Sequence, residues 1–260
     1  MGKKAKKSSK AGKKPPAKTI RGKSTKAKST KEKLTKEKLI EVGAFRADLV
    51  APPEPAPLVQ ESSAVDLWFD PRCSWAWLAS RWMLEVETVR PVKTFFHVMS
   101  LAVLNERKDI SEDYRQELDQ SWPAVRVTLA VGQQYGQEQL AAFYTAIGTR
   151  IHVRGEGEGR DTIAGALADV GLPPELIELG DVGDNDDALR TSTWDGMNLV
   201  GLNVGTPVLQ VNGRAFFGPV FSPRPRGEEA GRVWDGVLAL GSYPGFYELK
   251  RTRDVGPIYD

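Results

Sequence analysis

The only cysteine in the 260-residue chain, Cys73, stands where a short apolar run ends and a helical pattern begins. Residues 65–70 predict a strand, and apolar side chains recur at helical spacing from Ser74 to about Val89. Unpaired amides and the helix dipole at a helix N-terminus favour a thiolate over a thiol. We therefore expect Cys73 to have a lowered pKa and to serve as a nucleophile or redox thiol. The alternative is a buried cysteine that packs as a small hydrophobe.

The second feature that could take part in chemistry is the Thr206-Pro207 pair, which opens a predicted strand at 206–211. Proline removes a hydrogen-bond donor from a strand, so it is unusual at the start of a central strand. A cis peptide bond here would be a retained turn. A trans proline would instead indicate an ordinary edge strand. The sequence leaves these two alternatives open.

The elements that must position these features follow an α/β order. Residues 93–99 predict a second strand, and a strand–helix–strand unit favours parallel pairing. Residues 111–204 predict a helical block. Asn212-Gly213 then predicts a tight hairpin turn, and 226–240 predict a final helix. This order predicts a central sheet with helices packed on it and an inserted helical lid.

The N-terminal part of the chain has a different composition. Residues 1–40 hold 16 of the 36 Lys and Arg residues but only 2 of the 34 Asp and Glu residues. Few large apolar side chains occur there, so we expect residues 1–63 to be a disordered basic tail followed by a proline-rich linker. The folded domain is expected at 64–260. Three roles are open for the tail: a solubilising arm, attraction to an anionic membrane, or non-specific phosphate contacts with nucleic acid, which we favour.

The composition also limits the class of protein. Two histidines and one cysteine leave little material for a metal site, and we expect none. No apolar run approaches 18 residues, so no membrane span is expected. The N-terminus lacks the apolar region of a secretory signal, and a cytoplasmic location is the default expectation.

Several segments resemble a known family. FDPRCSWAW at 69–77 and GTPVLQVNG at 205–213 are similar to DsbA-type thioredoxin-fold proteins. The closer resemblance is to the actinobacterial mycothiol-dependent nitroreductases, which are related to kappa-class glutathione transferases. It extends through SRWMLEV, FHVMSLAVLNE, TRIH, FFGPV, PRGEEAG and YPGFYELKRTR, roughly over 64–260. The resemblance implies an α/β thioredoxin-like fold with an inserted helical subdomain. It also implies a cytosolic oxidoreductase with no tightly bound cofactor, in which mycothiol or a similar small thiol is the cosubstrate.

The resemblance assigns roles to individual positions. Cys73 matches the family's nucleophile, Trp75 the aromatic residue of the motif, and Pro207 the cis-proline that faces the cysteine. The thiol- and substrate-binding residues predicted beside them are Ser74, Asn105, Tyr114, His152 and Thr206. For His152, an exposed histidine at a helix end is the alternative. The other histidine, His97, is expected to be structural.

One departure changes the expected chemistry. The family motif is CPWC, whereas this chain has Cys73-Ser74-Trp75-Ala76. Without a second thiol, a mixed disulfide at Cys73 cannot be released from within the chain. A monothiol cycle is therefore predicted. In it Cys73 is thiolated by mycothiol or a similar small thiol, and a second small thiol or a partner redoxin releases it. The expected substrate is a small electrophile or disulfide. Ser74 either donates a hydrogen bond to the thiolate or caps the helix.

Two other functions stay open. The first is a non-catalytic thiol- or partner-binding protein that the basic tail tethers to nucleic acid. The second is chemistry like that of kappa-class glutathione transferases or isomerases, in which a bound thiol attacks an electrophile and Ser74 helps to activate it.

Overall fold

The fold is built on a four-stranded sheet in a computed structural model that describes residues 63–259. The predicted basic tail and linker at 1–62 lie outside the described residues. The strands are β1 (Ser63–Phe69), β2 (Val92–Val98), β3 (Val208–Val211) and β4 (Arg214–Phe217), and their order across the sheet is β2-β1-β3-β4. β1 pairs with β2 in parallel and with β3 antiparallel, and β4 is antiparallel to β3. The predicted parallel strand–helix–strand unit is confirmed.

Among the described residues, helices lie between the strands of this sheet in the chain and after the last strand. The α-helices are α1 (Ser74–Val89), α2 (Leu101–Asn105), α3 (Glu112–Asp119), α4 (Trp122–Gly148), α5 (Arg160–Asp169), α6 (Asp186–Val200) and α7 (Gly227–Ser242). A π-helical turn, Thr149–Val153, follows α4, and a 3-10 helix, Pro174–Gly180, follows α5. The elements between β2 and β3 are all helical, as the sequence pattern predicts. None of the helices among the described residues is both long and apolar enough to cross a membrane.

The central strand β1 is covered on both faces, which fixes the end that leads to Cys73. On one face Phe69 is fully buried and stacks on Tyr144 of α4, with ring centroids 3.7 Å apart. On the other face Trp68 packs in a buried cluster with Met197 of α6. A Cβ atom at Gly196 would lie 2.7 Å from the Trp68 ring, so glycine permits this close approach. Apolar burial on both faces therefore anchors the strand.

The hairpin between β3 and β4 has the geometry that its sequence predicts. Asn212 has φ 52° and Gly213 has φ 73°, both in the left-handed region that Asn-Gly turns favour. The hairpin places β3 beside β1, so that the segment before β3 lies against the β1–α1 junction.

Candidate active site

Cys73 is the residue that links β1 to α1. Its backbone is extended, with φ −78° and ψ 109°, and it forms the N-cap position of α1. The half-buried Sγ atom donates to the carbonyl oxygen of Thr206 at 3.4 Å. The Thr206–Pro207 peptide bond is cis, so the trans alternative is wrong. The hydroxyl of Thr206 donates to the Trp68 carbonyl at 2.9 Å and fixes this segment against β1.

The protonation of Cys73 differs from the expectation. Burial raises the pKa of the thiol to about 11, and the nearby Asp70 carboxylate raises it further. The backbone amides of Ala76 and Trp75 lower the pKa but do not offset burial. The predicted lowered pKa is therefore wrong for this structure, because desolvation of the thiolate outweighs the helix N-terminus.

Asp70 is a site residue that the sequence interpretation missed. It is 1% exposed, and burial raises the pKa of its carboxyl group to about 6. One carboxylate oxygen accepts from the Arg72 amide at 2.9 Å, and the other accepts from the Leu101 amide at 2.7 Å. Asp70 thus holds the Cys73 loop to the start of α2. A charged residue at the end of the apolar run WFD was the available signal.

His152 supports the same loop from the π-helical turn after α4. Its Nε2 atom donates to the Pro71 carbonyl oxygen at 2.8 Å, and its ring lies 5.7 Å from that of Trp77. The side chain is buried, and burial lowers its pKa to about 4. The alternative of an exposed histidine at a helix end is wrong. A neutral His152 holds the backbone two residues before Cys73.

The C-terminal residues lie against the active-site motif, which the sequence did not predict. The Tyr259 hydroxyl donates to Ser74 Oγ at 2.8 Å, and the Arg253 guanidinium lies 5.1 Å from the centre of the Trp75 ring. The Ile258 amide donates to Ser222 Oγ at 2.8 Å and anchors this tail. Both proposed roles of Ser74 are wrong in this structure, because its hydroxyl bonds to Tyr259 and neither caps α1 nor contacts the thiol.

The helical elements also reach the site. Tyr114 of α3 is half-buried, and burial raises its pKa, with the charges of Arg72, Asp70 and Cys73 also acting on it. Tyr114 therefore lies in the electrostatic surroundings of the thiol. Asn105, by contrast, donates from Nδ2 to the Leu101 carbonyl at 2.7 Å, within its own helix.

Arg72 ties the cysteine loop to the same helical elements, and the sequence interpretation missed it. Its Nε atom donates to Glu158 at 3.3 Å, and its Nη2 atom lies 3.8 Å from Glu117. A cation directly before the cysteine was the available signal.

The two histidines have separate structural surroundings. His97 lies 2.7 Å from Asp66 and stacks on Trp68 at 4.6 Å between ring centroids, which fits its expected structural role. Between residues 63 and 259 no group of three or more His, Cys, Asp or Glu side chains is placed to hold a metal ion.

A cysteine at a strand–helix junction, facing a cis-proline on a four-stranded sheet with inserted helices, defines a thioredoxin-like fold. The chain belongs to the Rv2466c-like family, described as mycothiol-dependent nitroreductase Rv2466c, which it matches over residues 72–251. The predicted family resemblance is confirmed.

The individual proteins that this chain is similar to share at most 27% sequence identity with it among the three described here. The chain is 27% identical over 201 residues to uncharacterized protein Rv2286c of Mycobacterium tuberculosis (strain ATCC 25618 / H37Rv), covering 75% of this chain and 85% of the relative. Among solved structures, the cytosolic disulfide reductase DsbM from Pseudomonas aeruginosa with GSH is 20% identical, with a TM-score of 0.44, covering 67% of this chain and 96% of that one. The oxidoreductase DsbA from Xylella fastidiosa is 19% identical, with a TM-score of 0.43, and the match covers 71% of this chain and 88% of that one.

Proposed function

We propose that this protein is a thiol-dependent oxidoreductase in which Cys73 is the single nucleophile and mycothiol or a similar small thiol is the cosubstrate. The observation that carries the proposal is the position of Cys73 Sγ, at the N-terminus of α1 and 3.4 Å from the carbonyl of Thr206 beside the cis-proline. Membership of a family described as mycothiol-dependent nitroreductases supports the choice of thiol.

A monothiol cycle balances without a second cysteine. With a mixed disulfide R–S–S–R′, the Cys73 thiolate attacks one sulphur, a Cys73–S–S–R bond forms, and R′–S⁻ leaves and takes up a proton. A second thiol R″–SH then attacks this bond, which gives R–S–S–R″ and returns Cys73 as a thiol. With a nitro compound, Cys73 and one small thiol supply two electrons and two protons. They yield a nitroso compound, water and the same Cys73 mixed disulfide, which a further small thiol or a redoxin releases.

The residues around the Cys73 thiol have different roles in the proposed reaction. Because burial keeps Cys73 protonated at neutral pH, deprotonation is part of the barrier, and the amides of Ala76 and Trp75 stabilise the thiolate as it forms. Tyr114 and Trp75 supply aromatic surface for the substrate. The cis-proline Pro207 and the carbonyl of Thr206 form the backbone segment that faces the sulphur, and they hold it in a fixed position.

We also propose the wider context of this activity. The domain extends over 64–260 with its helical insertion at about 111–204, acts in the cytoplasm and needs no tightly bound cofactor. These statements rest on the family membership and on the sequence pattern.

The test compares the protein with its Cys73→Ser variant. We expect the unaltered protein to gain the mass of one small thiol less two hydrogens after incubation with oxidised mycothiol, and to catalyse thiol-dependent reduction of a nitroaromatic or a mixed disulfide. The variant should show neither the adduct nor the turnover. Equal turnover by the variant would contradict the proposal.

The raised pKa of Cys73 favours a second candidate function. A thiol held neutral suits a domain that binds a small thiol or a partner without turnover, with the basic residues 1–40 contacting nucleic acid. This candidate predicts binding of mycothiol without product, and loss of DNA retention at low salt when residues 1–50 are deleted. Unchanged retention after the deletion would exclude the nucleic-acid role.

A further inference from the structure

Tyr259, the last of the described residues, contacts both sides of the loop that carries Cys73. Its hydroxyl donates to Ser74 Oγ at 2.8 Å, directly after the cysteine. Its ring centroid lies 5.7 Å from that of His152, whose Nε2 atom donates to the Pro71 carbonyl oxygen, two residues before the cysteine. The two flanks of the reactive residue therefore meet at one side chain.

Hydrogen bonds to Ser222 fix the backbone that carries Tyr259. The Ser222 hydroxyl donates to the Gly256 carbonyl oxygen at 2.8 Å and accepts from the Ile258 amide at 2.8 Å. The Tyr259 side chain is also partly buried against the main apolar core. The ring is therefore held by contacts that do not involve its hydroxyl. This segment lies beyond residues 72–251, over which the chain matches its family, so the family membership assigns it no role.

The helix that begins after Cys73 lacks the usual stabilisation of a helix N-terminus. Cys73 makes no side-chain capping bond, and the first turn of α1 contains no acidic residue. By contrast, the side chain of Ser100 caps α2 and that of Ser111 caps α3. The first turn of an uncapped helix frays readily, because its amides have no partner within the helix. The start of α1 therefore depends on contacts from outside the helix.

The open amides of this first turn are the groups that a thiolate needs. The first hydrogen bond within α1 runs from the Trp77 amide to the Cys73 carbonyl oxygen at 2.9 Å, so the amides before it have no helical partner. Those of Trp75 and Ala76 lower the pKa of the Cys73 thiol. They can stabilise a thiolate only while the turn keeps its helical geometry.

The C-terminal segment contacts the side chains of this turn. Tyr259 bonds to Ser74, and the Arg253 guanidinium lies 5.1 Å from the centre of the Trp75 ring. We propose that Tyr259 is a positioning residue for Cys73, which acts through Ser74 to hold the first turn of α1 with its amides towards the sulphur. The inference deepens the proposed function and rests on it for the reaction that the thiolate serves.

The first experiment measures the rate of alkylation of Cys73, the only cysteine, by iodoacetamide at pH 8 in the full chain. Tyr259→Phe keeps the ring and removes the hydroxyl, so it retains the burial of the site and loses the hold on Ser74. We expect its rate to fall about fivefold, the effect of one hydrogen bond between neutral groups. The charges of Asp70 and Arg72, which act on the thiol, are unchanged in this variant.

A role in stability alone predicts a change of the opposite sign. Because burial raises the pKa of Cys73 to about 11, a variant that only loosens the structure exposes the thiol and speeds the reaction. An unchanged or faster rate in Tyr259→Phe would overturn the proposal. Tyr247→Phe, at a tyrosine that is 91% exposed, is the matched control and should react like the unaltered protein. An equal fall in the control would also overturn the proposal.

Ser74→Ala removes the other half of the same hydrogen bond. Its alkylation rate should also fall about fivefold, and the rate of the double variant with Tyr259→Phe should fall no further. If the two effects instead multiply to about twenty-fivefold, the residues act separately and the positioning role fails. If Tyr259→Phe does not fold, Ser74→Ala decides.

The second experiment measures turnover of a nitroaromatic or a mixed disulfide. Tyr259→Phe should lower kcat about fivefold and leave KM unchanged, because Tyr259 acts through Ser74 and does not bind the substrate. A raised KM with an unchanged kcat would make Tyr259 a binding residue and overturn the proposal. If the alkylation results hold but the unaltered protein turns over no substrate, the proposed function fails and the positioning role of Tyr259 stands.

Discussion

His152 Nε2 lies 2.8 Å from the carbonyl oxygen of Pro71, and this hydrogen bond joins the turn after α4 to the loop that carries Cys73. The next peptide amide along, that of Arg72, donates to the buried carboxylate of Asp70 at 2.9 Å. Two buried titratable side chains therefore fix adjacent backbone groups directly before the thiol. Burial shifts their pKa values in opposite directions, to about 6 for Asp70 and about 4 for His152.

The first prediction is that their effects on stability oppose each other between pH 4 and 6.5. The pKa of Asp70 is raised from 3.8 to about 6, so its contribution to folding is full below pH 3.8 and is lost as the pH rises through 6. The pKa of His152 is lowered from 6.5 to about 4, so its contribution is full above pH 6.5 and is lost as the pH falls through 4. Each contribution is on the order of 3 kcal/mol.

The two single variants should therefore differ in opposite directions from the unaltered protein in how the free energy of unfolding depends on pH. In Asp70→Asn, the free energy of unfolding should fall on acidification from pH 6.5 to 4.5 more steeply than in the unaltered protein. In His152→Gln, the free energy of unfolding should rise on the same acidification, or fall less than in the unaltered protein. Urea denaturation at a series of pH values measures both. Identical slopes in all three proteins would contradict the assignment.

The second prediction concerns the thiol. Because burial raises the pKa of Cys73 to about 11, its alkylation by iodoacetamide should keep accelerating up to pH 10. Asp70→Asn removes a nearby negative charge and should speed the reaction at pH 8 about threefold. Cys73 is the only cysteine, so the rate reports on it alone, and Cys73→Ser should not react. A plateau below pH 9 would show an activated thiolate instead.

The sequence predicted those features of the site that depend on local pattern. Cys73 at the start of α1 follows from an apolar run that meets a helical repeat, and the Asn212-Gly213 turn follows from residue type. The contacts that set the chemistry are not local. Tyr259 reaches Ser74 across 185 positions and His152 reaches Pro71 across 81.

The pKa of Cys73 was not predictable for the same reason. A helix N-terminus is visible in the sequence, but the burial that outweighs it comes from packing of distant elements. The sign of the shift is therefore set by the tertiary structure.

The third prediction concerns Gly148, where α4 meets the turn that carries His152. A Cβ atom there would lie 2.3 Å from two ring carbons of the buried Trp77. Gly148→Ala should lower the free energy of unfolding by about 3 kcal/mol, because the ring has to shift within a packed core. Gly236→Ala, in α7 with no atom within 4 Å of the added Cβ, is the matched control and should stabilise by roughly 0.5–1 kcal/mol. Equal stability of the two variants in urea would contradict this account of Trp77.

The last prediction tests whether the missing second thiol sets the chemistry. Ala76 is fully buried one helical turn after Cys73, and the two Cα atoms of such a pair lie about 5 Å apart, within disulfide range. In Ala76→Cys, a small thiol attached to Cys73 should be displaced by the new thiol, leaving an internal disulfide two mass units lighter than the dithiol. The unaltered protein should keep the adduct until an external thiol is added.

The matched control for this variant is Ala79→Cys, which also adds a buried thiol but lies about 9 Å along the helix from residue 73. Its adduct should persist as in the unaltered protein, as followed by intact mass after the free thiol is removed. If the Ala76→Cys adduct lasts as long as that of the control, Cys73 is closed to attack from its own helix. The lack of a second cysteine would then not explain a need for external thiol.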